Sequence, residues 1–93
     1  MNKYEVLYIL DAEIAEETKN QLIERFESLV KENGGEVEKT ERWGLRKYTY
    51  PINFKREGYY VLMNFSSESS FPLEMERQMR ITDGIVRHMI VKK

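Results

Sequence analysis

Two seven-residue runs constrain this chain more than anything else in it: Tyr4-Glu5-Val6-Leu7-Tyr8-Ile9-Leu10 and Tyr59-Tyr60-Val61-Leu62-Met63-Asn64-Phe65. Both are rich in aromatic and branched side chains, which marks them as strands. Side chains of a strand alternate between its two faces, and here both alternating sets are largely apolar. In the first run Tyr4, Val6, Tyr8 and Leu10 oppose Leu7 and Ile9. In the second, Tyr59, Val61, Met63 and Phe65 oppose Tyr60 and Leu62.

Between the two runs lies a helix. Asp11 to Glu17 is an acidic connection, and acids suit the positive end of a helix dipole. From about Ala15 to Asn33, Leu22, Ile23, Phe26, Leu29 and Val30 recur at helical spacing as one apolar stripe. Asn33-Gly34-Gly35 ends it, since glycine takes the left-handed conformation of a helix terminus. Glu36 to Ile52 reads as extended. It is long for one strand, so Gly44 is expected to mark a bulge or bend, with Pro51 at a strand end or an edge. Asn53-Phe54-Lys55-Arg56-Glu57-Gly58 reads as a polar turn that makes a hairpin with the strand Tyr59–Phe65. Ser66 to Ser70 reads as a loop. Pro72 suits the first turn of a short helix carrying Leu73, Met75 and Met79 to about Ile81. Thr82-Asp83-Gly84 is a turn, and Ile85 to Val91 is a fourth strand.

The order βαββαβ is the split-βαβ, ferredoxin-like arrangement. The expected fold class is α+β: a four-stranded antiparallel sheet with both helices on one face. At 93 residues the expectation is one ferredoxin-like domain over residues 1–93. The first and third strands are then central, and the fourth and second are edges.

Two helices cover only one face of such a sheet. With only Lys92-Lys93 after the last strand, the other face is expected to show Leu7, Ile9, Tyr60 and Leu62 to water. Fully burying one such side chain is worth roughly 1.5–3 kcal/mol, and a contiguous apolar patch on a small chain usually marks an interaction surface. These four are the candidate protein-partner residues. The plainer reading is a patch that is tolerated or covered by a loop.

The net charge of −1 hides an asymmetry. Residues 1–41 hold 11 acids and 5 bases, whereas residues 42–93 hold 5 acids and 10 bases. The second half is able to supply a basic patch that the average conceals. Candidates for phosphate contact are Lys3, Arg46, Lys47, Arg80, Arg87 and Lys92, each weighed against the simpler role of a solvated charge.

Other chemistry is poorly supported. There is no cysteine, which excludes disulfide scaffolds, thiolate metal sites and cysteine nucleophiles. The lone histidine, His88, sits mid-strand without a nucleophile pattern around it. The acids of the first helix are too scattered for a metal site, and no glycine-rich phosphate loop is present. No metal, cofactor or small-molecule substrate is therefore expected. Acylphosphatases of this fold place an arginine in a glycine-rich loop after the first strand, where this chain has the acidic Asp11-Ala12-Glu13-Ile14. RNA-recognition motifs stack bases on their central strands. Here Glu57-Gly58-Tyr59-Tyr60-Val61-Leu62 lacks the basic residue before its glycine, so stacking in that manner has no support. No apolar run approaches the ~20 residues that span a bilayer, and Met1-Asn2-Lys3-Tyr4-Glu5 does not read as a signal peptide. A cytoplasmic protein is expected.

Two segments carry a resemblance. Trp43-Gly44-Leu45-Arg46-Lys47-Tyr48-Thr49-Tyr50-Pro51-Ile52 resembles the second-strand signature of the bacterial small-subunit ribosomal protein six family. It departs at Tyr48 and Thr49, where the family commonly has leucine and alanine. Arg80-Ile81-Thr82-Asp83-Gly84-Ile85-Val86-Arg87-His88-Met89-Ile90-Val91-Lys92 looks like that family's second helix end, turn and fourth strand. Lys3-Tyr4-Glu5 and Gly58-Tyr59-Tyr60-Val61-Leu62-Met63 fit as well. The resemblance implies a ribosomal, non-enzymatic protein. Its members pair with small-subunit ribosomal protein eighteen, and the pair binds the central domain of the small-subunit ribosomal RNA. Many members carry a longer C-terminal tail, and no tail contact is carried over to this sequence. The competing reading is a dimeric ferredoxin-like module that senses a ligand or regulates.

Overall fold

A computed structural model describes residues 1–52 and 55–93. The elements are β1 (Asn2–Asp11), α1 (Glu16–Glu32), β2 (Glu36–Ile52), β3 (Lys55–Ser67), α2 (Phe71–Ile81) and β4 (Ile85–Lys92). The strands lie in the order β2-β3-β1-β4, and every neighbouring pair is antiparallel. This is the ferredoxin-like arrangement that the element order predicts, with β1 and β3 central.

The core forms where the helical stripe meets one alternating set of the sheet. Leu22, Ile23, Phe26 and Val30 of α1 and Phe71, Met75 and Met79 of α2 pack on Tyr4, Val6, Tyr8, Leu10, Val61, Met63 and Phe65. Aromatic rings join the layers: Tyr8 meets Phe26 edge-on at 5.4 Å, and Phe65 meets Phe71 edge-on at 5.7 Å. Such edge-to-face contacts match the positive ring edge to the negative ring face. Burial pushes the Tyr8 hydroxyl well above its ordinary range, with Glu27 adding to the shift, so the phenol stays neutral.

One charge enters this layer. Lys19 of α1 is only 6% exposed. Its ammonium reaches the Ala12 carbonyl at 3.3 Å, lies 3.9 Å from Glu16 and sits over the Tyr59 ring at 5.2 Å. Its stem covers apolar surface while three partners compensate the lost water.

The end of α1 shows why two glycines follow it. Gly34 takes φ 80°, the left-handed region where other residues are strained. Gly35 has a different reason: a Cβ there would lie 2.5 Å from the Ser66 carbonyl oxygen and 2.9 Å from Val30 Cγ1. The backbone of β3 thus passes directly against the turn. Gly35→Ala is expected to cost about 1–3 kcal/mol through overpacking, read as a lower urea midpoint with an unchanged slope.

Two boundaries differ from the sequence reading. The segment 53–58 reads as a turn, but β3 begins at Lys55, with Ile52 opposite Lys55 and Lys47 opposite Glu57. Asn53 and Phe54 lie outside the described residues. Because β1 ends at Asp11 opposite Gly58, the β2–β3 ribbon continues past it with no third strand. At the other end β3 runs to Ser67, so Ser66 and Ser67 are strand and not loop. Gly44 does mark a bulge: its φ is 83°, and the register shifts between Arg42 and Gly44. Pro51 falls next to last in an edge strand, where its missing donor costs no ladder bond to a further strand. Among the described residues no helix is long and apolar enough to cross a membrane.

Candidate partner and nucleic-acid interface

The face of the sheet turned away from the helices is organised by register. Leu7 of β1 lies between Leu62 of β3 and Met89 of β4. Ile9 lies between Tyr60 and Arg87, and Glu5 between Asn64 and Val91. Cross-strand neighbours at these spacings touch, so Leu62, Leu7 and Met89 form an apolar strip across three strands. Leu7, Ile9, Tyr60, Arg87, His88 and Met89 line a depression of about 260 Å³ beside it.

One of the four candidate partner residues departs from its expected exposure. Leu7, Tyr60 and Leu62 are half-buried, but Ile9 is only 8% exposed. It sits on a central strand, with the long residues Tyr60 and Arg87 at the register positions of both flanking strands. Conversely, Met89 is 60% exposed and Val91 is also open to water. Sequence reasoning left these two out. The signal was available: once β4 pairs antiparallel with β1, its alternate positions Arg87, Met89 and Val91 share a face with Leu7 and Ile9.

The six cations expected to contact phosphate do not converge on one patch. Lys3 and Arg87 belong to the open face by register. Lys92 is opposite Tyr4, a core residue, so it falls on the helix side at the β4 edge. Arg80 lies in the last turn of α2 and pairs with Glu76 at 2.8 Å. Arg46 and Lys47 are exposed on β2, opposite Gly58 and Glu57. The ends of β1 and β4 do meet, as antiparallel pairing requires: the Lys93 amide donates to the Lys3 carbonyl at 2.9 Å. Lys3 Nζ lies 3.8 Å from Glu38, and Lys93 Nζ lies 3.6 Å from Glu5.

A further group lies on β2. The Trp43 indole Nε1 donates to Glu41 Oε2 at 3.3 Å, and Arg46 lies over the ring at 5.0 Å from its centroid. The hydrogen bond from Lys39 to Glu41, with a smaller share from Trp43, holds that carboxyl below its ordinary range. On α2, hydrogen bonds from Arg77 and then Gln78 lower Glu74 to about 2.

Comparison with known proteins shows which family the chain belongs to. The family model described as ribosomal protein S6 matches residues 3–92. The chain belongs to the ribosomal protein S6 family. The small ribosomal subunit protein bS6 of Thermoanaerobacter pseudethanolicus is 50% identical over 92 residues, covering 99% of this chain and 97% of that one. The bS6 of Carboxydothermus hydrogenoformans is 43% identical over 93 residues, covering 100% and 97%. The crystal structure of 30S ribosomal protein S6 from Thermotoga maritima superposes with a TM-score of 0.94 at 30% identity, covering 99% of this chain and 87% of that one. As an S6 family member the chain is a structural, non-enzymatic protein of the small ribosomal subunit, placed in the cytoplasmic ribosome of bacteria. The assignment agrees with the two segments that carry the resemblance, and it favours the ribosomal reading over a regulatory module.

Proposed function

We propose that this S6 family protein binds the central domain of the small-subunit ribosomal RNA together with small-subunit ribosomal protein eighteen. The observation that carries the reading is the open sheet face, where the strip Leu62–Leu7–Met89 crosses three strands. Leu7, Tyr60 and Leu62 dock the protein partner, with Ile9 supporting them from beneath and Met89 extending the strip. Apolar area of this kind gives up water on docking and drives association.

Lys3, Arg46, Lys47, Arg80, Arg87 and Lys92 serve as phosphate contacts. They lie on several sides of the molecule, which fits an RNA that runs along it better than a single groove. Phosphate contacts position a protein on RNA without reading its sequence.

The test is binding of the protein to a central-domain ribosomal RNA fragment, with and without protein eighteen, across a salt series. Binding is expected to require both proteins and to weaken linearly in log K against log salt. Replacing one contacting cation by alanine lowers that slope by about 1. If neither protein enhances binding of the other, the reading is wrong. A cation whose loss leaves the slope unchanged is struck from the contact set.

A further inference from the structure

Trp43 falls between two register pairs of the β2–β3 ladder: Arg42 is opposite Val61, and Gly44 is opposite Tyr60. A bulge re-aims the side chain it carries. The only tryptophan of the chain is thereby held out of the core and stays 39% exposed.

Polar neighbours on its own strand hold the ring in place. Its Nε1 donates to Glu41 at 3.3 Å, and that carboxylate lies 2.7 Å from Lys39 Nζ. The Arg46 guanidinium lies over the ring at 5.0 Å. Beside it Gly44 leaves space unfilled, since a Cβ there would meet nothing within 4 Å. The result is an indole fixed at its edge, with a planar cation over its ring, and open to water.

We propose that Trp43 and Arg46 form a stacking platform for an unpaired base of RNA. The proposal rests on the RNA-binding reading above and deepens it, because Arg46 then acts through its planar face as well as its charge. Unpaired bases are held by stacking on aromatic rings and guanidinium planes. The platform is on an edge-strand bulge, away from the central strands where RNA-recognition motifs stack bases. Charge complementarity selects RNA as the occupant. Lys39 neutralises Glu41, so the charge left beside the ring is the positive charge of the exposed Arg46. An apolar protein segment would gain nothing from that charge.

The test uses the full chain with protein eighteen and the central-domain RNA fragment, comparing Trp43→Ala, Trp43→Phe and Arg46→Lys. Trp43→Ala is expected to weaken RNA binding by about five- to a hundredfold, the range for loss of one base–aromatic stack. Trp43→Phe retains most of the affinity. Arg46→Lys keeps the salt slope yet weakens binding, because a lysine supplies charge without a plane. Thermal unfolding of each variant verifies that the fold is kept. Equal RNA affinity of Trp43→Ala and the parent overturns the platform and leaves the RNA-binding reading standing. Weaker binding of Trp43→Ala to protein eighteen without RNA overturns it too, by assigning the indole to a protein contact. Failure of the parent chain itself to bind RNA removes both readings, and needs no variant to detect.

Discussion

Phe26→Ala is expected to lower the unfolding free energy by about 3–5 kcal/mol, the range for deleting a buried ring and leaving a cavity. Phe26 is fully buried at the middle of α1 and meets the Tyr8 ring at 5.4 Å. Its loss removes the ring contact between the longer helix and a central strand. Native domains have only about 5–15 kcal/mol in hand, so the variant is expected to unfold at much lower urea or not to fold at all. Leu73→Ala is the matched control. Leu73 is on the outer side of α2 and exposed, and surface changes of that kind stay within about 0.5 kcal/mol. A small effect of Phe26→Ala in equilibrium denaturation would contradict the layer packing described above.

Leu7→Asp is expected to weaken docking of protein eighteen by roughly a hundredfold or more while the chain stays folded. A buried carboxylate without a partner costs at least about 2–3 kcal/mol, and each 1.4 kcal/mol is tenfold in affinity. In the free protein Leu7 is only half-buried, so an aspartate there keeps contact with water. In the proposed complex the same carboxylate, between Leu62 and Met89 by register, would have its water stripped away. Calorimetric titration with protein eighteen measures the loss, and thermal unfolding separates it from misfolding. Leu73→Asp, on the opposite side of the molecule, leaves docking unchanged. Parental affinity in Leu7→Asp would move the docking surface off this sheet face.

The two effects come from the two faces of β1, and they were not equally legible. Tyr4, Val6, Tyr8 and Leu10 announce their face by alternation, and they match a helical stripe that ends cleanly at Gly34 and Gly35. Ile9 shows the limit. Its alternation predicts exposure, yet it is buried on a central strand, with Tyr60 and Arg87 opposite it on the two flanking strands. Met89 and Val91 show the converse, because their place beside Leu7 and Glu5 depends on how β4 pairs with β1. The six cations illustrate the same difficulty over longer distances. The clustering of five of them in the second half of the chain reflects sequence position, whereas the fold sends Arg80 to a helix, Arg87 to the open face and Arg46 to the edge ribbon.

Local periodicity by itself was enough to determine the elements, their order, the helix-facing core and, with the two signature segments, the S6 family. Those properties follow from repeats of two and about 3.6 residues, which every short window of the chain carries. Only the tertiary structure decided which open-face residues are shielded, which cations share a side, and that Trp43 stands out at a bulge against Arg46. These depend on register between strands far apart in the chain. A shift of one residue there exchanges the faces of a strand without changing a single local pattern.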